Sequence, residues 1–124
     1  MRKIFSFDLD GVIFNGPDMP ALMPRIQDII ITGRSFEERG YTDRWLMCNG
    51  IINQVYYNPL KFSEKSRETS AQHKVDILKK KPEVVIHYED DPVQAKIIRE
   101  ACPEVCVILI DNPLVEKENV WRGK

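Results

Sequence analysis

Hydrophobic positions along the chain fall into five short runs, each bounded by turn residues or by polar stretches of helical period. Residues 3–8 (KIFSFD), 28–32 (DIIIT), 53–57 (NQVYY), 83–87 (EVVIH) and 105–110 (VCVILI) read as β-strands. Asp10-Gly11, Gly33 and Pro59 close the first three of them. Between the runs, the pattern predicts a helix over residues 36–49, capped by Ser35 and ended by Gly50. A second helix is predicted over 71–80, where Val75, Ile77 and Leu78 recur at helical spacing. A third starts at Pro92, which suits a first helical turn, and turns Val93, Ile97 and Ile98 inward. A short helix is expected over 21–27 despite Pro24, after a loop punctuated by Pro17 and Pro20. Residues 63–70 are expected to be a loop or the first turn of a helix, and 111–124 an arm.

Strands that are apolar on both faces and alternate with helices predict an α/β protein: a five-stranded parallel sheet between helical layers, a Rossmann-like three-layer fold. The length of 124 residues matches one domain spanning the chain. A hydrophobic fraction of 43% with 30% charged residues fits a folded globule and argues against disorder. The net charge of −1 gives no overall field toward nucleic acid or anionic lipid. No run of about 18 apolar residues predicts a membrane span, and the early acid Asp8 argues against a signal peptide. Cys48, Cys102 and Cys106 are odd in number and form no CxxC or Cys/His pattern. They are expected to be reduced and mostly buried, consistent with a cytoplasmic location.

In a parallel α/β sheet, reactive groups belong at the carboxyl ends of the strands. Asp8 and Asp10 end the first strand; Thr32, Gly33 and Arg34 end the second; Glu89, Asp90 and Asp91 follow the fourth; Asp111 ends the fifth. Lys74 opens the helix before the fourth strand. Asp8 and Asp10 are two residues apart, hence on one side of a straight strand, and such carboxylates repel unless a cation neutralises them. An oxygen-only donor set suits Mg²⁺, and neither His73 nor His87 supplies a zinc pattern. Thr32 offers a hydroxyl and Gly33 a close backbone approach to a phosphate, with a helix N-terminus behind them. Lys74 supplies the positive charge. With these charges screened, a carboxylate can attack phosphorus while a second carboxyl moves the proton.

The ordered set FDLDGVIF, IIITGR, HKVDIL and HYEDDP resembles the haloacid dehalogenase superfamily of phosphatases. The stretch TGRSFEERGYTDRWLMCNGI with NQVYYNP is similar, within it, to the 3′-phosphatase domain of polynucleotide kinases. The resemblance implies that Asp8 is the nucleophile and Asp10 the general acid/base. It implies that Thr32 binds the phosphoryl group with Gly33 and Arg34, and that Lys74 steadies it. It further implies Mg²⁺ on Asp8, the Asp10 backbone carbonyl and Asp90, with Glu89 or Asp91 in support. Lys74 lies 16 residues before Asp90, close for the family, and Lys61 is a rival for its role.

The expected substrate is therefore a phosphorylated molecule, a nucleotide or a 3′-phosphorylated nucleic-acid end. Arg34, Lys61, Lys65 and Arg67 form a candidate local basic patch for it. The spacings of 22 residues from Asp10 to Thr32 and 42 from Thr32 to Lys74 leave no room for an inserted cap domain. The alternative is a non-catalytic module, either a degenerate phosphatase or a receiver-like domain that binds Mg²⁺ and a phosphorylated partner. Receivers phosphorylate an Asp after the third strand, where this chain has Tyr57-Asn58-Pro59.

Overall fold

Apolar residues at successive positions of β1 (Ile4–Phe7) and β2 (Ile29–Ser35) put hydrophobic surface on both sides of the sheet, so both sides must be covered. The computed structural model describes residues 2–14 and 21–110. The expected arm at 111–124, Asp111 and the prolines 17 and 20 lie outside the described residues. The remaining elements are α1 (Arg39–Cys48), β3 (Val55–Asn58), α2 (Arg67–Lys80), β4 (Val84–Glu89), α3 (Pro92–Ala101) and β5 (Cys106–Leu109).

The five strands form one all-parallel sheet in the order β3-β2-β1-β4-β5. One face packs Ile4, Ile29, Ile31, Val84 and Val107 against Val75 and Leu78 of α2 and Ala95 and Ile98 of α3. The other packs Phe7 and Ile30 against Leu46 of α1, with Leu9, Val12 and Ile13 from the turn after β1. This is the three-layer Rossmann-like architecture that the pattern predicts. The order reverses between β1 and β4, and that switch point is where open α/β sheets carry their ligand sites. Receiver domains order their strands 2-1-3-4-5; the order here removes the receiver-like alternative.

Several boundaries differ from the expected ones for local reasons. Gly33 does not stop β2, which runs on to Ser35 and pairs it with Asn58 of β3. The Gly33 carbonyl is taken by the Lys65 ammonium at 3.1 Å and the Asn58 amide at 3.4 Å. Ser35 caps a single 3-10 turn over Phe36–Glu38 in a capping box with Glu38, so α1 starts only at Arg39. Residues 21–27 form no helix. Asp28 instead accepts from the Arg25 and Phe5 amides, and its carboxylate is gripped by the Arg25 guanidinium.

Residues 63–70 hold a 3-10 turn and then the start of α2, which Ser66 caps with Thr69. Lys74 therefore sits in mid-helix rather than at its opening. β4 extends to Glu89, and Asp91 caps α3 ahead of Pro92. The cysteines also differ: Cys102 is buried, whereas Cys48 and Cys106 are exposed, and all three are free thiols. Among the described residues, no helix is long and apolar enough to cross a membrane.

Candidate active site

Strand register assembles the site. Ser6 pairs with His87, and Phe7 with Tyr88, across β1 and β4. One step further, the Asp8 amide donates to the Tyr88 carbonyl at 2.9 Å, which sets Asp8 beside Glu89. Side chains alternate along a strand, so Ser6, Asp8, His87 and Glu89 share one face, and Lys74 of α2 reaches them there. Its Nζ lies 3.1 Å from Asp8 Oδ1 and 2.8 Å from Glu89 Oε1. Lys61, the rival lysine, is exposed on the surface.

Asp8, Glu89 and Asp90 each place a carboxylate oxygen within 4.8 Å of the others, and all three are buried. Burial is the main cause that raises the Asp8 pKa well above its ordinary value; the neighbouring Glu89 carboxylate adds to it and Lys74 opposes it. Glu89 is raised too, chiefly by burial. Burial alone would neutralise Lys74, but Asp8 and Glu89 hold it charged and push its pKa up. With all three carboxyls ionised against one ammonium, the buried cluster would carry a net charge of about −2. A divalent cation offsets that charge, and the donors are all oxygens. The cluster is thus a set that can hold a metal ion.

Asp91 was expected among the metal ligands, and the structure employs it otherwise. Its carboxylate pairs with the Arg67 guanidinium at both oxygens, and it caps α3 through the Val93 amide at 3.0 Å. Burial raises its pKa, but the Arg67 hydrogen bonds outweigh this and leave it below the ordinary value. Glu89, placed in support by the sequence reading, is in the cluster instead. It is the last residue of β4, so the sheet itself aims it.

After Asp8 the chain turns sharply, with the Val12, Ile13 and Phe14 amides all directed at the Leu9 carbonyl. Gly11 makes the turn at φ +83, a conformation that L-residues with a Cβ rarely adopt. Asp10 lies in this turn with its side chain partly exposed. Arg34 Nε and Nη2 donate to its two oxygens at 2.9 and 2.7 Å, and Nη1 donates to Thr42 Oγ1 at 3.0 Å. Arg34, expected to contact substrate, is thus engaged with a carboxylate. Thr32 is fully buried in the middle of β2 rather than at its end, its hydroxyl oxygen accepting from the Arg34 amide at 3.0 Å.

The expected basic patch is largely neutralised. Arg34 pairs with Asp10, Lys65 with Glu38 and Arg67 with Asp91. Sequence reasoning missed a buried relay behind the cluster. His87 Nε2 lies 3.1 Å from Glu89 Oε1 and Nδ1 lies 2.7 Å from Ser6 Oγ. Burial, then the Lys74 charge, hold His87 well below its ordinary pKa. The signal was available in the two-residue spacings Ser6 to Asp8 and His87 to Glu89.

No protein-family model matches the sequence, and no curated protein does. Among solved structures, the fold is similar to a chain of the Pnkp1/Rnl/Hen1 complex, with a TM-score of 0.68 over 90% of this chain at 17% identity. The match spans 46% of that chain. The chain thus shares the α/β architecture of one part of a larger protein.

Proposed function

We propose that this chain is a Mg²⁺-dependent phosphomonoesterase of the haloacid dehalogenase type, working through an aspartyl-phosphate on Asp8. The observation that carries the reading is the position of Asp8. It sits at the carboxyl end of the central strand, buried at the switch point, with Lys74 at 3.1 Å and two further carboxyl groups around it. Neither a plain turn nor a helix cap has a reason to bury three acids together.

In this reading an Asp8 oxygen attacks phosphorus, and the bond from phosphorus to the ester oxygen breaks. The leaving oxygen takes a proton from Asp10. Water then yields a proton to Asp10 as its oxygen attacks the aspartyl-phosphate, which frees inorganic phosphate and restores the Asp8 carboxylate. Thr32 and Gly33 hold the phosphoryl group from β2, and Lys74 screens its charge. Arg34 grips both Asp10 oxygens and leaves each a further lone pair for the proton that Asp10 moves. Asp8, Glu89 and Asp90 would hold the Mg²⁺, with the Asp10 carbonyl, and the bound ion would supply charge neutralisation for the phosphoryl group.

The proposed substrate is a nucleotide or a 3′-phosphorylated nucleic-acid end. Two lines support it. The motifs resemble the 3′-phosphatase domain of polynucleotide kinases, and the structural neighbour comes from a complex named for Pnkp1, Rnl and Hen1. The stretch from Thr32 to Lys74 is occupied by α1, β3 and two 3-10 turns, consistent with a site that no domain inserted there covers. The test is phosphate release with and without Mg²⁺ from 3′-phosphate oligonucleotides, mononucleotides and sugar phosphates. Metal-dependent release fastest from the oligonucleotide ends is expected. Equal, feeble rates on all of them would remove the nucleic-acid assignment, and no release from any would remove the phosphatase reading.

A further inference from the structure

Glu89 is held from two directions. Its Oε1 accepts from Lys74 Nζ at 2.8 Å and faces His87 Nε2 at 3.1 Å. Its Oε2 accepts from the more distant Asp91 amide, at 3.3 Å. Lys74 alone does not fix the carboxylate, because that ammonium stands between Glu89 and Asp8 and draws on both. The imidazole supplies a second anchor on the same oxygen.

The direction of the hydrogen bonds follows from the acceptors. Oε1 already receives a proton from the Lys74 ammonium, so it accepts from His87 too, and Nε2 carries the imidazole proton. With Nε2 turned to Glu89, the other ring nitrogen, Nδ1, faces the Ser6 hydroxyl at 2.7 Å. Ser6 and His87 are a register pair across β1 and β4 and are fully buried, so neither can touch a substrate. Their chain runs from Ser6 through His87 to Glu89. An apolar pair would fill this place in the core equally well if packing were all that was required.

We propose that His87, oriented by Ser6, is a positioning residue that holds Glu89 in place as a metal ligand. The inference rests on the metal site of the function proposed above. Partners that orient a ligand from behind typically contribute about 10- to 100-fold in metal affinity.

The experiment is calorimetric titration of the full chain with Mg²⁺ alone, which needs no substrate and no turnover, together with the thermal midpoint of each variant. The variants are His87→Leu, His87→Gln and Ser6→Ala. Leucine keeps the volume and removes the donor; glutamine keeps an N–H. The expected result is about 10- to 100-fold weaker binding for His87→Leu, recovery of most of that loss in His87→Gln, and a smaller loss in Ser6→Ala. Wild-type affinity in His87→Leu would overturn the proposal. So would equal weakening by all three variants that merely follows their loss of thermal midpoint. If His87→Leu does not fold, Ser6→Ala decides: unchanged affinity there overturns it. Absence of Mg²⁺ binding by the wild-type chain would instead overturn the metal site itself and this inference with it.

Discussion

Gly11 and Asp90 are packed so tightly that a Cβ on Gly11 would stand 2.1 Å from Asp90 Oδ2. The glycine is required twice, once for its φ of +83 and once for the space that the Asp90 carboxylate occupies. A non-glycine residue in the left-handed region costs about 1–2 kcal/mol, and the clash adds to that by moving Asp90 out of the carboxylate cluster. Gly11→Ala is expected to lower stability by about 2 kcal/mol or more and to weaken Mg²⁺ binding together with phosphatase activity. Thermal unfolding and a metal titration check it. A variant that loses stability but keeps its metal affinity would show that Asp90 is not held by this contact.

Asp8→Asn is expected to abolish phosphatase turnover, by more than about a thousandfold, while leaving the fold intact. It is also expected to stabilise the metal-free chain. Burial raises the pKa of Asp8, so an uncharged isostere removes a desolvation penalty that the folded state carries. Hydrolysis of p-nitrophenyl phosphate and thermal melting in a chelator test the two halves separately. Retained hydrolysis would exclude Asp8 as the nucleophile.

Lys74→Met leaves Asp8 and Glu89 buried without their shared ammonium. Removing one partner of such a set costs about 3–5 kcal/mol, and the thermal midpoint should fall accordingly. The double variant with Asp8→Asn should recover part of that loss, because one of the two stranded charges is gone. A gain in the double variant no larger than Asp8→Asn gives in the wild-type background would mean that Lys74 and Asp8 do not interact in the folded chain.

The five strands and the three α-helices were legible from period alone, because short apolar runs such as KIFSFD and EVVIH alternate with polar stretches of helical period. The errors share a cause. Gly33 was read as a stop, but in the fold its carbonyl receives Lys65 and Asn58 from 25 or more residues away. Local sequence does not contain that contact. The start of α2 stayed open between a loop and a first helical turn because Ser66 and Thr69 form a polar cap ahead of the first apolar residue. At the site, the types and order of the acids were enough to collect Asp8, Lys74 and Asp90. Choosing between Glu89 and Asp91 required register. Glu89 sits on the face of β4 that Asp8 shares across the strand pair, whereas Asp91 has left the sheet and caps a helix. The Arg34 pairing was out of reach for a related reason: its partner Asp10 lies 24 residues away.

The Asp28 carboxylate makes stability depend on pH in a way that does not involve the site. It accepts from the Phe5 amide at 2.9 Å, from the Arg25 amide at 2.8 Å and from two Arg25 guanidinium nitrogens. Burial pushes its pKa up, but these hydrogen bonds prevail and leave it below the ordinary value. A carboxylate lowered on folding contributes stability above its unfolded pKa of about 3.9, and the contribution is lost as pH falls through the folded value. Asp28→Asn should therefore be less stable than wild type by about 1–3 kcal/mol at neutral pH. The gap should close as the pH is taken below about 4. Denaturant unfolding at pH 7 and pH 3 measures it; a gap that persists unchanged in acid would mean that the ionised carboxylate is not what Arg25 and the two amides hold.

Arg34 has two possible duties, and kinetics separates them. If its guanidinium read the substrate phosphate, Arg34→Gln would raise KM and leave kcat largely intact. The geometry favours the other duty. Three guanidinium nitrogens are already engaged, two by Asp10 and one by Thr42, and only 14% of the Arg34 side chain is exposed. The expected result for Arg34→Gln is a fall in kcat of about 100-fold or less, since a proton-transfer group contributes about 10²–10⁴-fold in all and Asp10 itself remains, with KM changed little. In an Asp10→Asn background the same substitution should cost almost nothing further, since the group it orients is already disabled. Independent, multiplying losses in the double variant would assign Arg34 to the substrate after all.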